Sequence, residues 1–362
     1  MTDLEKLCSR VTEAADCAVI TDDVNRRYFT AMKSSAGTLV VFPEKAYFII
    51  DFRYIEKAKK TVTACEVILQ DKLYEQINSL IEKHCAKTVS VNADTCTLSE
   101  LIAYQQKLNA EVIADTKLAE IIREIRTVKS QEQIDKIIKA QRIAEKGFTH
   151  MLDFIKVGRT EKEIQLELDY YMLKNGAEAL SFDTIALSGS NTSLPHGVPS
   201  DKKVESGEFV LMDFGATYDG WHSDMTRTVC VGKPSDKMKS VYETVLTAQL
   251  SALDAVKAGM SGKALDKIAR DIITEAGYGD NFGHSLGHGV GVEIHESPYA
   301  SPSREDILPK NSIVTVEPGI YLEGKFGVRI EDFVVVTENG CINMTKAPKA
   351  VSYTHLTLPT IR

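Results

Sequence analysis

Acidic residues interrupt two apolar, strand-like runs near the middle of the chain. Asp213 lies within the run 209–214, and Asp224 lies near the start of the run 223–231, with an Asp-Gly turn signal between them. The pattern predicts a hairpin with one carboxylate on each paired strand. A buried carboxylate needs a cation, because an uncompensated charge is strongly unfavourable inside a protein. For Asp213 that cation is either a metal ion or an arginine such as Arg227.

A second pair of acidic residues repeats this arrangement nearer the C-terminus. Glu317 follows the apolar run 313–316, and Glu331 lies in the run 328–336. Arg329 is two residues from Glu331, so the two side chains share one face of a strand. Arg329 therefore either forms a salt bridge with Glu331 or orients it beside a metal ion.

Four carboxylates in one core repel each other unless divalent cations neutralise them. Between the predicted hairpins, the glycine-rich segment GHSLGHGVGVEIHE carries His284, His288 and His295, of which His288 suits a metal ligand. One histidine with four carboxylates favours Mn²⁺, with Co²⁺, Fe²⁺ or Zn²⁺ as alternatives. Two such ions turn a bound water into a nucleophile at neutral pH. His196, in the segment LPHG after a flexible loop, is either an exposed loop residue or a further site residue.

The elements that must position these residues indicate an α+β chain with two domains. Short apolar runs alternate with helical segments in the first part, which predicts a smaller N-terminal α/β domain over residues 1–126. The candidate site falls in a second domain over residues 127–349. Residues 350–362 are Thr-rich and unlike the preceding strands, so we interpret them as an atypical tail that is either frayed or non-native. His355 in this tail is expected to have no function.

Helix starts in the second domain are marked by local sequence. Ser130 with Gln133, and Thr160 with Glu163, each form a capping-box pattern in which side chains and backbone N–H groups satisfy each other.

Composition excludes several classes of protein. The 362 residues carry a formal net charge of -8, which argues against nucleic acid or an anionic membrane as the main partner. No apolar run approaches the roughly 18 residues of a membrane span, and the N-terminus lacks the pattern of a signal peptide. The seven cysteines are scattered and form no CxxC pair. These features predict a cytoplasmic protein with reduced thiols.

The segments that carry the four carboxylates and the histidines resemble the pita-bread metallopeptidases, the family of aminopeptidase P, prolidase and methionine aminopeptidase. The resemblance covers nearly the whole chain up to about Lys349. It implies a C-terminal pita-bread fold, which is a curved antiparallel sheet flanked by helices. The segments NRRYFT and DFRYIEKA resemble the creatinase-like N-terminal domain of the aminopeptidase P and prolidase branch, which methionine aminopeptidases generally lack.

The resemblance also assigns roles to residues. His196 and His295 would contact the scissile carbonyl and the tetrahedral intermediate, and Glu317 would move a proton as the third catalytic residue. His284 and Arg329 would line the substrate site. The resemblance also implies five ligands for two metal ions: Asp213, Asp224, His288, Glu317 and Glu331. Among these, Asp224 and Glu331 would each bind both ions.

The implied activity is that of an Xaa-Pro aminopeptidase, which hydrolyses the peptide bond before proline with a hydroxide held between two metal ions. Its substrates would be peptides with proline at the second position, and the resemblance implies a homodimer. The alternative is an Xaa-Pro dipeptidase, or prolidase, restricted to dipeptides. A non-catalytic binding protein on the same fold and a creatinase-like C–N hydrolase are further alternatives, and the complete ligand set argues against both.

Overall fold

The computed structural model describes residues 1–351. The chain divides into two compact units, one formed by Met1–Arg126 and the other beginning at Thr127. No helix among the described residues is both long enough and apolar enough to cross a lipid bilayer.

The first unit is a mixed six-stranded sheet with helices, in the strand order β4-β3-β2-β1-β5-β6. The pairs β1/β2 and β2/β3 are antiparallel, whereas β3/β4, β1/β5 and β5/β6 are parallel. Alternate residues along the central strands enter two separate apolar clusters, so both faces of the sheet are covered. Its elements are α1 Asp3–Arg10, β1 Cys17–Ile20, α2 Asp23–Thr30, β2 Thr38–Val41, β3 Ala46–Ile50, α3 Ile55–Thr61, β4 Glu66–Leu69, α4 Leu73–Lys83, β5 Thr88–Val91, α5 Leu98–Lys107, β6 Glu111–Ile113 and α6 Lys117–Thr127.

Over residues 127–351, the second unit combines four long helices with short antiparallel sheets. Two of these sheets, in the orders β12-β9-β8 and β15-β18-β19, carry the segments of interest. The elements are α7 Gln131–Phe154, α8 Glu161–Lys174, β7 Ala179–Leu180, β8 Ile185–Ser188, β9 Glu208–Phe214, β10 Ala216–Tyr218, β11 Trp221–His222, β12 Met225–Val231, α9 Asp236–Ala255, α10 Gly262–Glu275, β13 Gly287–Gly289, β14 Glu296–Ala300, β15 Ile313–Val316, β16 Gly319–Leu322, β17 Phe326–Arg329, β18 Asp332–Val336 and β19 Cys341–Asn343.

Strand β9 separates two apolar cores in this unit. Phe209 packs in a cluster with side chains of α9 and α10. Val210 and Met212 pack in another cluster with side chains of α7 and α8. Alternation along one strand thus buries both of its faces, at roughly 1.5–3 kcal/mol for each fully buried large apolar side chain. This packing on both faces fixes the position of the strand that carries Asp213.

Local signals predicted the helix starts and the hairpin turn correctly. Ser130 and Thr160 each cap their helix through a complete capping box. Tyr218 pairs with Trp221 across a turn in which Asp219 has φ 49° and Gly220 has φ 81°. Positive φ at both central residues is the geometry of a type I′ turn, which Asp-Gly favours.

Two strands differ from the prediction. Asp224 lies just before β12 rather than within it, and the predicted strand 328–336 is broken at Ile330 and Glu331. The break occurs because the chain changes partner there: β17 pairs with β16, whereas β18 pairs with β15. The Glu331 N–H instead donates to the carbonyl of Thr226, at 3.1 Å.

The predicted tail lies almost entirely outside the described residues. Only its first two residues, Ala350 and Val351, are described, and the Val351 carbonyl accepts a hydrogen bond from the Cys230 N–H at 2.8 Å. The prediction for His355 falls on the undescribed part.

Candidate metal centre

Three of the predicted ligands meet at one point of the second unit. One ligand atom from each of Asp224, His288 and Glu331 lies within 4.8 Å of the other two. Asp224 is 4% exposed and Glu331 is 1% exposed. The spacing leaves room for a cation, and burial deprives the two carboxylates of the water that would otherwise stabilise their charge.

His288 presents a free nitrogen to this cluster. Its Nδ1 lies 3.0 Å from the carbonyl of Gly289, and a carbonyl only accepts, so Nδ1 carries the proton and donates. Its Nε2 lies 3.6 Å from Asp224 Oδ2 and 3.3 Å from Glu317 Oε1. Burial, and then nearby His295, lower the pKa of His288 to about 4. A neutral imidazole thus directs its lone pair at two acidic oxygens, which is the arrangement of a metal-binding histidine.

Asp213 is held by Arg329 and not by Arg227. Arg329 Nη2 lies 2.6 Å from Asp213 Oδ2, whereas Arg227 forms a buried pair with Asp332 at 2.8 Å. The second oxygen of Asp213, Oδ1, is buried and has no hydrogen-bond partner among the described residues. An acidic oxygen in this state requires a partner that the chain itself does not supply, and a divalent cation fits.

Two threonines that the sequence analysis missed orient the glutamates. Thr226 Oγ1 donates to Glu331 Oε2 at 2.7 Å and accepts from Arg329 Nε at 3.0 Å. Arg329 therefore reaches Glu331 through this hydroxyl. Thr315 Oγ1 donates to Glu317 Oε1 at 3.0 Å and accepts from the His288 N–H at 3.0 Å. The available signal was strand alternation, since Thr315 stands two residues before Glu317.

The acidic groups destabilise one another's charged forms. Burial, followed by the charges of Asp213 and Glu317, raises the pKa of Asp224. Burial, followed by the charges of Asp224 and Glu317, raises the pKa of Glu331. Burial raises the pKa of Glu317 to about 8, against the opposing effect of Arg329. Desolvation with like-charge repulsion is relieved when cations lie between carboxylates, so the donor set fits divalent metal ions.

Two exposed histidines stand beside this buried cluster. The His295 ring packs edge-on against His288, with 4.4 Å between ring centroids. Burial lowers the pKa of His295, the charge of Asp213 opposes that change, and His196 adds to it. His196 lies in a turn after the 3₁₀ helix Gly189–Ser193.

His284 lies deeper and has both ring nitrogens engaged within the chain. Its Nδ1 donates to the Ser285 carbonyl at 2.8 Å, so its Nε2 accepts from the Tyr321 hydroxyl at 2.9 Å. Arg329 Nη1 in turn donates to the Tyr321 oxygen at 2.7 Å. His284 can therefore present its ring to a substrate but not a free nitrogen. Tyr321, which the sequence analysis missed, links His284 to Arg329.

Comparison with known families agrees with this architecture. Residues 135–338 match the pattern of metallopeptidase family M24, and residues 4–128 match the creatinase/prolidase N-terminal domain. The predicted two-domain fold, with a creatinase-like first domain and a pita-bread second domain, is thereby confirmed. Membership of this family also implies divalent metal ions.

Individual relatives cover almost the whole chain. An Xaa-Pro dipeptidase of Pyrococcus furiosus is 39% identical over 96% of this chain and 98% of its own length. The structure of an Xaa-Pro dipeptidase from Bacillus anthracis has a TM-score of 0.93 at 40% identity, covering 97% of this chain and 99% of that one. An X-Pro aminopeptidase structure from Thermotoga maritima has a TM-score of 0.87 at 38% identity, covering 94% and 98%. Two of these three relatives are named Xaa-Pro dipeptidases, which favours the dipeptidase alternative over the aminopeptidase. With its M24 pattern over residues 135–338 and a relative of this identity along nearly its full length, the chain belongs to metallopeptidase family M24.

Proposed function

We propose that this metallopeptidase is an Xaa-Pro dipeptidase that releases proline from dipeptides. The observation that carries the proposal is the cluster of buried acidic oxygens around His288 Nε2, in a chain whose relatives include Xaa-Pro dipeptidases. The proposed ligands of two divalent ions are Asp213, Asp224, His288, Glu317 and Glu331.

Manganese is our proposal for the ions, because one histidine among four carboxylates is an oxygen-rich donor set. When bound, such ions polarise a carbonyl and lower the pKa of water enough to supply a nucleophile at neutral pH. Thr226 and Thr315 fix the carboxylates of Glu331 and Glu317 through hydrogen bonds of 2.7 and 3.0 Å. Arg329 fixes one oxygen of Asp213 and leaves the other free for an ion.

The remaining roles are proposed from the family resemblance, and the contact of His295 with His288 supports them. His196 and His295 would donate N–H groups to the oxygen of the scissile carbonyl as negative charge develops on it. Glu317 would pass a proton to the prolyl nitrogen, which must be protonated to leave. Proline has no N–H of its own and a fixed φ, so a site shaped for an ordinary peptide bond accepts it poorly.

A dipeptide and a tripeptide separate the two candidate activities. We expect Mn²⁺-dependent release of proline from Gly-Pro and little release of alanine from Ala-Pro-Ala. Efficient cleavage of the tripeptide would instead establish the aminopeptidase, the activity for which the Thermotoga maritima structure is named. Assembly as a homodimer stays a prediction from the resemblance.

Replacement of one proposed ligand tests the metal chemistry. Asp224→Ala should abolish cleavage, whereas Asp271→Ala, at a half-exposed surface acid, should retain it. Gly-Pro cleavage that survives in Asp224→Ala would overturn the two-metal proposal. Wild-type protein that binds Mn²⁺ without cleaving either peptide would favour a binding protein.

A further inference from the structure

The loop that carries His196 is fastened at both ends by one buried carboxylate. Glu161, the first residue of α8, is 0% exposed. Its Oε1 accepts from the Ser188 N–H at 2.7 Å and from the Ser188 hydroxyl at 3.1 Å. Its Oε2 accepts from the Ser200 N–H at 2.9 Å and from the Ser200 hydroxyl at 2.6 Å. The amide of Asn191 donates to the same carboxylate, at 3.0 Å to Oε1 and 3.2 Å to Oε2.

Every one of these donors belongs to residues 188–200. A buried carboxylate is costly unless its oxygens are satisfied, and charge-assisted hydrogen bonds are the strong kind. Here each carboxylate oxygen holds one end of the loop, and the neighbouring backbone reinforces the second end: the Lys162 N–H donates to the Ser200 carbonyl at 3.1 Å. Glu161 therefore closes the loop at its base.

The closed loop is also attached to the residues of the metal centre. The Gly327 N–H donates to Thr192 Oγ1 at 2.8 Å. Arg329 Nη1 donates to the carbonyl of Pro195, the residue before His196, at 3.3 Å. Glu161 thus binds both ends of the loop, Gly327 of β17 binds Thr192, and Arg329 binds the carbonyl next to His196. The His196 side chain remains exposed.

We propose that Glu161 is the positioning residue for His196, acting through the loop and without touching the substrate. This inference rests on the proposed role of His196 at the scissile carbonyl. An active-site donor must be held within a fraction of an ångström of its working position, and misplacement by about 1 Å can reduce the rate about 100-fold.

Glu161→Gln tests the loop itself, independently of activity. The substituted amide turns a donor towards N–H and O–H groups that are themselves donors, so hydrogen bonds at one end of the loop are lost. Hydrogen exchange followed by mass spectrometry should show faster exchange in peptides covering residues 188–200 and unchanged exchange in β9. Glu163→Gln is the matched control: it makes the same change on the same helix, at an exposed residue whose capping role glutamine can fulfil.

Kinetics on Gly-Pro then test the connection to His196. We expect Glu161→Gln to lower kcat/KM about 10- to 100-fold, and to cause no further loss in a His196→Ala background. If Glu161→Gln does not fold, Ser200→Ala is the second variant. It removes the 2.6 Å hydroxyl bond to Glu161 and the 3.1 Å bond that this hydroxyl accepts from the Lys202 N–H, and it should show both effects in weaker form.

Unchanged exchange over residues 188–200 would overturn the inference, as would losses from Glu161→Gln and His196→Ala that multiply in the double variant. If wild-type protein cleaves neither peptide, the proposed function fails. The exchange measurement alone then decides whether Glu161 holds the loop.

Discussion

Arg329 binds one oxygen of Asp213 and leaves the other buried without a partner. The guanidinium Nη2 lies 2.6 Å from Asp213 Oδ2, and Oδ1 has no hydrogen-bond partner among the residues described. The same guanidinium donates to the hydroxyls of Thr226 and Tyr321 and to the Pro195 carbonyl. One planar cation therefore orients the proposed ligand Asp213 directly, the proposed ligand Glu331 through Thr226, and the His196 loop through the Pro195 carbonyl.

Replacing this guanidinium by an ammonium should disable the centre although the positive charge remains. Lysine cannot reach four acceptors in different directions, because its donors radiate from one nitrogen. We expect Arg329→Lys to lower kcat/KM for Gly-Pro about 100-fold or more and to weaken Mn²⁺ binding in a calorimetric titration. Arg123→Lys, at an exposed arginine of the first unit, is the control. Full activity of Arg329→Lys would show that charge alone suffices.

The metal-free protein should lose stability as the pH rises from about 7 to about 8. Burial raises the folded-state pKa of Glu317 from its ordinary value of 4.5 to about 8. Between these values the folded chain holds a proton that the unfolded chain releases, so stability is greatest at low pH and falls as the pH approaches 8. His284 and His288 have folded pKa values of about 4. They oppose this trend only weakly above about pH 7, where histidine is mostly neutral in the unfolded chain as well.

Urea unfolding of chelator-treated protein at pH 7 and pH 8 measures this effect, which should be of order 1 kcal/mol. Added Mn²⁺ should reverse the loss at pH 8 by binding the folded state. Glu317→Gln should flatten the pH dependence, because its amide does not titrate. Equal unfolding midpoints at the two pH values in wild-type protein would contradict a protonated Glu317.

The buried pair between Arg227 and Asp332 should matter for stability rather than for catalysis. Arg227 is 1% exposed and Asp332 is 0% exposed, with 2.8 Å between Nη2 and Oδ1. Asp332→Asn keeps the volume and leaves the arginine charge uncompensated, at a cost of about 3–5 kcal/mol in unfolding free energy. Asp271→Asn breaks a surface pair with Lys267 and should cost about 0.5 kcal/mol or less. Similar urea midpoints for the two variants would refute this difference.

A methyl group at Gly327 should disturb the His196 loop. A Cβ added there would lie 2.1 Å from the carbonyl oxygen of Thr192 and 2.8 Å from Cδ1 of Tyr321. We therefore expect Gly327→Ala to lower kcat/KM for Gly-Pro about tenfold or more. Gly340→Ala is the control, because the nearest atom to its Cβ would be Thr337 Oγ1 at 4.0 Å. A Gly327→Ala protein with wild-type kinetics would show that the loop accommodates the displacement.

Sequence reasoning succeeded where the signal was local. Ser130 and Thr160 marked helix starts because a capping box lies within four consecutive residues. The Asp-Gly turn was equally local. The predicted ligands could be named because carboxylates in apolar runs are conspicuous, and the structure brings Asp224, His288 and Glu331 into one cluster.

What depends on distant pairing could not be read from the sequence. The break at Glu331 arises because β17 and β18 have different partner strands. No residue pattern within the run 328–336 predicts that change. The choice of Arg329 over Arg227 for Asp213 has the same origin, since both arginines lie near acidic residues in sequence. Glu161 resembled an ordinary helix-start acid, and only the folded chain brings Ser188 and Ser200 to it.

The late position of Glu331 in the chain also has a consequence for synthesis on the ribosome. The proposed ligands begin at Asp213 and end at Glu331, and Glu331 is oriented by Thr226 from a much earlier segment. A nascent chain that ends at Ile330 lacks Glu331, the last of the proposed ligands, and also lacks β18, the strand that pairs with β15. With the proposed ligand set, an ion can therefore be bound by all of its ligands only after residue 331 has been synthesised, which places metal binding late in translation.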